Sequence, residues 1–88
     1  IDTINKYVQK IFINMSNREI NEYSKLIDSY INHNGSITRA SEELFIHKNT
    51  LQYRLNKLKE LTGFDPRNLR DMVVLYLAFT LYRLDFGK

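Results

Sequence analysis

A set of polar side chains recurs between residues 49 and 60 at a spacing that places its members on one face of a helix. The set is Asn49, Gln52, Tyr53, Asn56 and Glu60. Leu51, Leu55 and Leu58 mark the opposite face, which is the side that packs into a core. Amides pair with adenine edges, and a phenol hydroxyl donates to phosphate oxygens. The polar face suits a DNA major groove, although any amphipathic helix in water also exposes polar residues.

Basic residues border this polar face on both sides and account for most of the net charge. Lys48 and Lys59 lie on one flank, and Thr50 and Lys57 lie on the other. Residues 1–35 carry four basic and four acidic residues, residues 36–60 carry five and three, and residues 61–88 carry four and three. The formal net charge of +3 is therefore concentrated around the polar face.

Length and composition exclude several classes of protein. A chain of 88 residues makes one small domain, and the absence of cysteine excludes a disulfide framework and a thiolate zinc site. The two histidines lack a neighbouring carboxylate pattern, and no glycine-rich phosphate loop or catalytic motif is present, so we expect no metal, no cofactor and no enzyme. The apolar run at residues 72–79 is far shorter than the roughly 20 residues that span a bilayer, which predicts a soluble cytoplasmic protein.

Apolar periodicity and capping residues predict five helices, an all-α domain without strands. The first helix extends from about Asp2 to Met15, as part of a linker or dimerisation segment at residues 1–15 that precedes a DNA-binding domain at residues 16–88. Because the chain begins with Ile1, we interpret it as a piece of a longer protein whose sensor domain would precede it.

Local signals set the bounds of the other four helices. Ser16 and Glu19 have capping-box spacing ahead of a second helix that ends near His33, followed by Asn34 and Gly35, which tolerate positive φ. The third helix extends from Ile37 to Leu44 with Ser36 as its cap, and the fourth from Lys48 to Thr62 before Gly63. Either Asp65-Pro66 or Asn68 begins the fifth, which ends at about Leu84. A short helix, a three-residue turn and a longer helix form a helix-turn-helix pattern.

The segment at residues 36–63 resembles the C-terminal helix-turn-helix of PucR-type regulators, the group of purine catabolism and sugar diacid regulators. Its most specific part is the run LFIHKNTL at residues 44–51 with Tyr53-Arg54-Leu55, and the resemblance covers about residues 20–84. A more distant resemblance is to the helix-turn-helix of the Fis type, a bacterial nucleoid protein. Lys48 departs from the arginine that is frequent in the family, and Ser41 departs from a usual alanine. An aromatic residue in the turn, here Phe45, fits the narrower family better than the general motif.

The resemblance implies a sequence-specific DNA-binding domain of a bacterial transcriptional regulator that acts as a dimer on double-stranded DNA at the nucleoid. Its recognition helix, at about residues 48–62, would enter the major groove. The residues expected to contact DNA are Ser36, Thr38, Arg39, His47, Lys48, Asn49, Thr50, Gln52, Tyr53 and Lys57.

Several of these residues have a structural alternative. Asn49 could read a base or cap the fourth helix, and His47 could contact DNA or cap that helix with its ring. Arg54 could bind phosphate or pair with an acid such as Glu42 or Glu43. Ser36 and Thr38 could simply cap the third helix, and Arg39 could be solvated. We interpret His33 as a charge partner at the end of its helix.

The last helix is apolar on nearly every side, so one of its faces needs a partner beyond the helix-turn-helix core. That partner could be the first helix or, as we favour, a second copy of the chain, with residues 1–15 contributing. The alternative function is a helical interaction or dimerisation module that lacks DNA binding. Glu42 and Glu43 support this alternative because phosphate repels carboxylates.

Overall fold

The computed structural model describes residues 2–85, which fold into five helices joined by turns and short loops. They are α1 (Asp2–Ile11), α2 (Asn17–Asn32), α3 (Ile37–Leu44), α4 (Lys48–Thr62) and α5 (Leu69–Asp85). No strand occurs within that range, so the all-α prediction is confirmed. Ile1 and residues 86–88, which fall in the predicted segments 1–15 and 16–88, lie outside the described residues. None of the helices described is long and apolar enough to cross a membrane.

Capping residues fix the bounds of α2 and α3 as predicted. The Ser16 hydroxyl accepts the Glu19 N–H at 3.1 Å, and the Glu19 carboxylate accepts the Ser16 N–H at 3.0 Å, which completes the capping box. Asn34 and Gly35 have φ of 54° and 80°, and they turn the chain after α2. The Ser36 hydroxyl then accepts the Arg39 N–H at 3.2 Å and caps α3.

The first helix is shorter than predicted, since it ends at Ile11 rather than Met15. Ser16 must adopt extended backbone, with φ −74° and ψ 161°, in order to cap α2. The chain therefore leaves α1 earlier and passes through a turn in which the Met15 N–H donates to the Phe12 carbonyl at 3.0 Å. This turn keeps both Phe12 and Met15 buried, as their apolar character requires.

Of the two predicted starts for the last helix, the structure adopts the later one. The Asn68 side chain accepts the Asp71 N–H at 3.1 Å, which is a cap for α5. The Asp65 carboxylate instead accepts the Arg67 N–H at 3.0 Å, two residues ahead, and forms an Asx turn in the α4–α5 loop.

A single apolar core holds α4 in place. Leu51, Leu55 and Leu58 are fully buried in it, in a cluster that also contains Leu75 and Phe79 of α5. Burying a leucine side chain stabilises a fold by about 1.5–3 kcal/mol, so these three residues fix both the position and the rotation of α4. Its polar face consequently points to solvent.

The first helix covers one side of α5. The ring centroids of Phe12 and Phe79 lie 4.7 Å apart, and Phe12 meets Tyr82 edge-on at 6.0 Å. The predicted alternative in which α1 partners the last helix is therefore confirmed for this side of α5.

Candidate nucleic-acid interface

Helices α3 and α4 pack against each other and are joined by a turn of three residues, which is a helix-turn-helix unit. Phe45 is the C-cap of α3 and has φ 57° and ψ 41°, a left-handed conformation that strains a residue with a Cβ atom. The Ile46 N–H donates to the Ser41 carbonyl at 3.0 Å and closes the turn. The phenyl ring of Phe45 gains nothing from the core, because the residue is 94% exposed.

The predicted DNA-contacting residues are almost all accessible. Eight of the ten are exposed: Thr38, Arg39, His47, Lys48, Asn49, Thr50, Gln52 and Tyr53. Ser36 and Lys57 are half-buried, Ser36 because it caps α3 and Lys57 because its ammonium lies 3.9 Å from the Glu60 carboxylate. The ten residues occupy the start of α3 and the N-terminal two-thirds of α4, which the packing of α3 on α4 holds in one unit.

His47, not Asn49, caps α4. His47 has extended backbone, with φ −70° and ψ 149°, and its Nδ1 accepts the Asn49 N–H at 3.0 Å. The capping alternative for Asn49 is wrong, because Asn49 already lies inside the helix and the His47 ring takes the free N–H. Asn49 is exposed, and its side-chain amide plays no part in this cap.

The predicted ion pair between Arg54 and Glu42 or Glu43 is not found among the described residues. Glu43 turns towards α2, where its carboxylate accepts the Ser29 hydroxyl and lies 3.4 Å from Nε2 of His33, the C-cap residue of α2. Arg54 lies beside Tyr23 of α2: burial raises the pKa of the Tyr23 hydroxyl, and the Arg54 charge opposes that rise. Arg54 lines a surface cavity with Leu26 of α2 and remains exposed to solvent.

Sequence reasoning missed Arg67, which lies against the polar face of α4. Its Nη1 donates to the Asn56 side-chain oxygen at 2.8 Å, and its Nη2 donates to the Gln52 main-chain carbonyl at 3.3 Å. These partners are 11 and 15 residues away along the chain, so no local pattern reveals the contact. A weak signal is the Asp65 turn, which orients the loop towards α4.

A row of apolar side chains on α5 remains exposed on the side that α1 does not cover. Its members are Leu69, Val73, Tyr76, Leu77 and Leu84. Their exposed fractions range from 40% for Tyr76 to 81% for Leu69. We call this row the α5 stripe. Leu69, Val73 and Leu77 are four residues apart, Tyr76 follows Val73 by three and Leu84 follows Leu77 by seven, so the row lies along one face of the helix.

The helix-turn-helix unit lies within a segment that matches a known family. Residues 23–81, which include α3, the turn and α4, match the PucR C-terminal helix-turn-helix domain. The chain is 44% identical to the carbohydrate diacid regulator of Escherichia coli over 57 residues, 65% of this chain and 15% of that protein. It is 37% identical to the proline-responsive transcriptional activator PutR of Bacillus subtilis over 62 residues, 70% of this chain and 15% of PutR.

A third relative, the uncharacterised protein YsfB of Bacillus subtilis, is 39% identical over 67 residues, 76% of this chain and 18% of YsfB. The chain thus spans less than a fifth of the length of these relatives. No solved structure matches it. The family match covers most of the chain and contains the whole helix-turn-helix unit, and the family is one of transcriptional regulator domains rather than of enzymes. The chain belongs to the PucR C-terminal helix-turn-helix domain family.

Proposed function

We propose that this domain binds duplex DNA in a sequence-specific manner, with α4 lying in the major groove. The observation that carries the proposal is the contrast between the two sides of α4. Three leucines on one side are fully buried, and the other side exposes amides, a hydroxyl and a phenol bordered by lysines. A helix held this firmly can present the same side chains to every base pair it meets.

The exposed residues divide by chemistry into base readers and phosphate binders. The Asn49 and Gln52 amides suit adenine edges, and the Lys48 ammonium reaches guanine acceptors without the planar fork of an arginine. Phosphate contacts orient the domain and supply most of the salt-dependent affinity. We assign them to Ser36, Thr38, Arg39, His47, Thr50, Tyr53 and Lys57.

We further propose that the domain acts as a homodimer whose two-fold axis crosses the α5 stripe. The stripe extends over 15 residue steps, about 22 Å, and its midpoint falls between Tyr76 and Leu77. Two antiparallel copies would therefore bring Leu69 of one chain to Leu84 of the other. An isologous contact of this kind covers the whole stripe. Ile4 and Tyr7 of α1 are also exposed, and we propose that residues 1–15 have a share in the interface.

The relatives indicate the setting in which such a domain works. Two of them have names that describe regulators, one of carbohydrate diacids and one responsive to proline. We infer that this domain is the DNA-binding part of a bacterial transcriptional regulator in the cytoplasm, and residues 16–88 are the segment we assign to DNA.

A fluorescence anisotropy titration with random duplex DNA at low and moderate salt tests the proposal. We expect binding at micromolar protein or below that weakens as salt rises. Lys48→Ala and Gln52→Ala should change the sequences selected from a random duplex pool, whereas Arg18→Ala, in an exposed arginine of α2, should not. Absence of binding at both salt concentrations would overturn the proposal.

The alternative of an interaction module without DNA binding rests on the two acids of α3. Glu43 contacts Ser29 and His33 of α2, although its side chain is still 53% exposed. Glu42 is exposed as well.

A further inference from the structure

The polar face of α4 has two flanks, and the predicted phosphate contacts of α3 serve only one of them. Arg54 marks the flank next to α3, since it lines a surface cavity together with Leu44 of α3 and Ile46 of the turn. Gln52 and Asn56 mark the other flank, which the α4–α5 loop borders through Arg67. A helix in a major groove lies between two phosphate backbones about 12 Å apart, so both flanks need a phosphate-binding group.

Arg67 is held at this second flank by two hydrogen bonds to α4. The acceptors are the Asn56 side-chain oxygen, at 2.8 Å, and the Gln52 carbonyl, at 3.3 Å. Both residues are exposed on the polar face, one helical turn apart. Because Gln52 is a proposed base reader, the guanidinium lies directly beside the surface proposed to meet the base pairs.

The guanidinium keeps unused binding capacity. An arginine has five N–H donors, and these two hydrogen bonds use two of them. The other three have no acceptor among the described residues, and the side chain is 38% exposed. A residue that only holds the loop against α4 would need neither the three remaining N–H donors nor an exposed positive charge.

The acid nearest to Arg67 is shared with a second base. The Asp65 carboxylate lies 3.8 Å from Arg67 and 3.8 Å from Lys59, so one acid sits between two bases. The Asp71 carboxylate also borders this loop, where it accepts the Asp65 N–H at 3.0 Å, and Glu60 is near Lys57 at 3.9 Å. Asp71 makes no ion pair with Arg67 among the described residues, so the guanidinium remains available to an anion.

We propose that Arg67 binds a DNA phosphodiester oxygen on the groove edge opposite α3, and that Asn56 positions it there. The contact rests on the proposed function and adds a residue outside the helix-turn-helix unit to it. It fixes the rotation of α4 in the groove, because α4 is then tied to both backbones. Asn56 serves as a positioning residue, since its amide oxygen is occupied by Arg67.

The first test compares Arg67→Gln with Arg18→Gln, which removes the same charge from an exposed arginine of α2. We expect Arg67→Gln to lower the affinity for random and selected duplexes alike by about 3- to 10-fold. The slope of log K against log salt should fall by about 0.9, as for one lost phosphate contact. Arg67→Lys should restore the slope, because lysine keeps the charge, although it lacks the fork that bonds both acceptors.

A purely structural role would give a different result. The Arg67→Lys and Arg67→Gln variants would then show the same decrease in the midpoint of urea unfolding. The slope of log K against log salt for Arg67→Gln would equal that for Arg18→Gln. That equality would overturn the inference.

The second test uses the unaltered protein and so does not depend on the folding of any variant. Phenylglyoxal modification, read by mass spectrometry, measures how fast each arginine reacts with and without duplex DNA. We expect DNA to protect Arg67 and to leave Arg18 reactive. Bound DNA with an unprotected Arg67 would refute the inference alone, whereas no binding of DNA at all would refute the proposed function.

Discussion

Helices α4 and α5 are similar in length, with 15 and 17 residues, yet their outward faces have opposite chemistry. Both bury one face in the common core, through Leu51, Leu55 and Leu58 on α4 and Leu75 and Phe79 on α5. Away from the core, α4 exposes amides, hydroxyls and lysines, whereas α5 exposes the α5 stripe. The first face suits a polyanion, and the second suits another apolar surface.

The difference teaches that burial alone does not identify a functional face. Both helices contribute fully buried residues to the same core, so only the exposed chemistry distinguishes the class of partner that each face suits. On this interpretation α4 determines which DNA sequence is bound, and α5 determines how many domains bind it. We expect mutations to separate these two proposed roles.

The largest effect is expected on stability, when a leucine on the buried face of α4 is shortened. Leu55→Ala should lower the free energy of unfolding by about 2–5 kcal/mol, because it leaves a cavity in a fully packed core. Urea denaturation followed by circular dichroism measures the loss. Tyr53 lies on the opposite side of the same helix and is 65% exposed. Tyr53→Ala should therefore change the free energy of unfolding by less than about 0.5 kcal/mol while it weakens DNA binding. Equal losses in the two variants would contradict the assigned rotation of α4.

The second effect concerns the α5 stripe. Leu77→Glu should weaken self-association at least about 100-fold, because a two-fold interface buries the new carboxylate twice and each copy opposes association. Sedimentation velocity over a concentration series measures the dimer. The matched control is Asn21→Glu, which adds the same charge at an exposed site of α2 and should sediment like the parent. A parent that stays monomeric, or a Leu77→Glu variant that remains dimeric, would remove the role assigned to α5.

The smallest effect is expected at Lys57, on the flank of α4 nearer α3. Lys57→Gln should reduce affinity a few-fold on every duplex and lower the salt slope by about 0.9, since phosphate contacts carry no base information. The same anisotropy titration at several salt concentrations measures both. A change in base preference would instead assign Lys57 to base reading, and Arg18→Gln serves as the charge-matched control.

Local signals made much of this fold predictable. The capping box at Ser16, the Ser36 cap and Gly63 after α4 fixed the bounds of α2, α3 and α4, because each depends on residues no more than four positions apart. The periodicity of the α4 leucines likewise gave the polar face correctly, since a helix that must bury three leucines has only one rotation.

Local signals were insufficient in two places and distant contacts decided two more. The predicted end of α1 is wrong because Ser16 needs extended backbone to cap α2. The cap of α4 is left open by the sequence, since both His47 and Asn49 can accept a hydrogen bond there. The partner of Glu43 could not be read from the sequence, because Ser29 precedes it by 14 residues. The contact of Arg67 could not be predicted for the same reason, because Arg67 lies in the α4–α5 loop and its acceptors lie in α4, 11 and 15 residues earlier.

The acceptors of Arg67 also bear on how the domain can evolve. One acceptor is the main-chain carbonyl of Gln52, which every amino acid supplies, and the other is the Asn56 side chain, which few can replace. Position 52 is therefore free to drift towards new side chains, and so towards new operators, without detaching the loop. Position 56 is not, and a library designed to retarget this domain should vary residue 52 while it holds residues 56 and 67 constant.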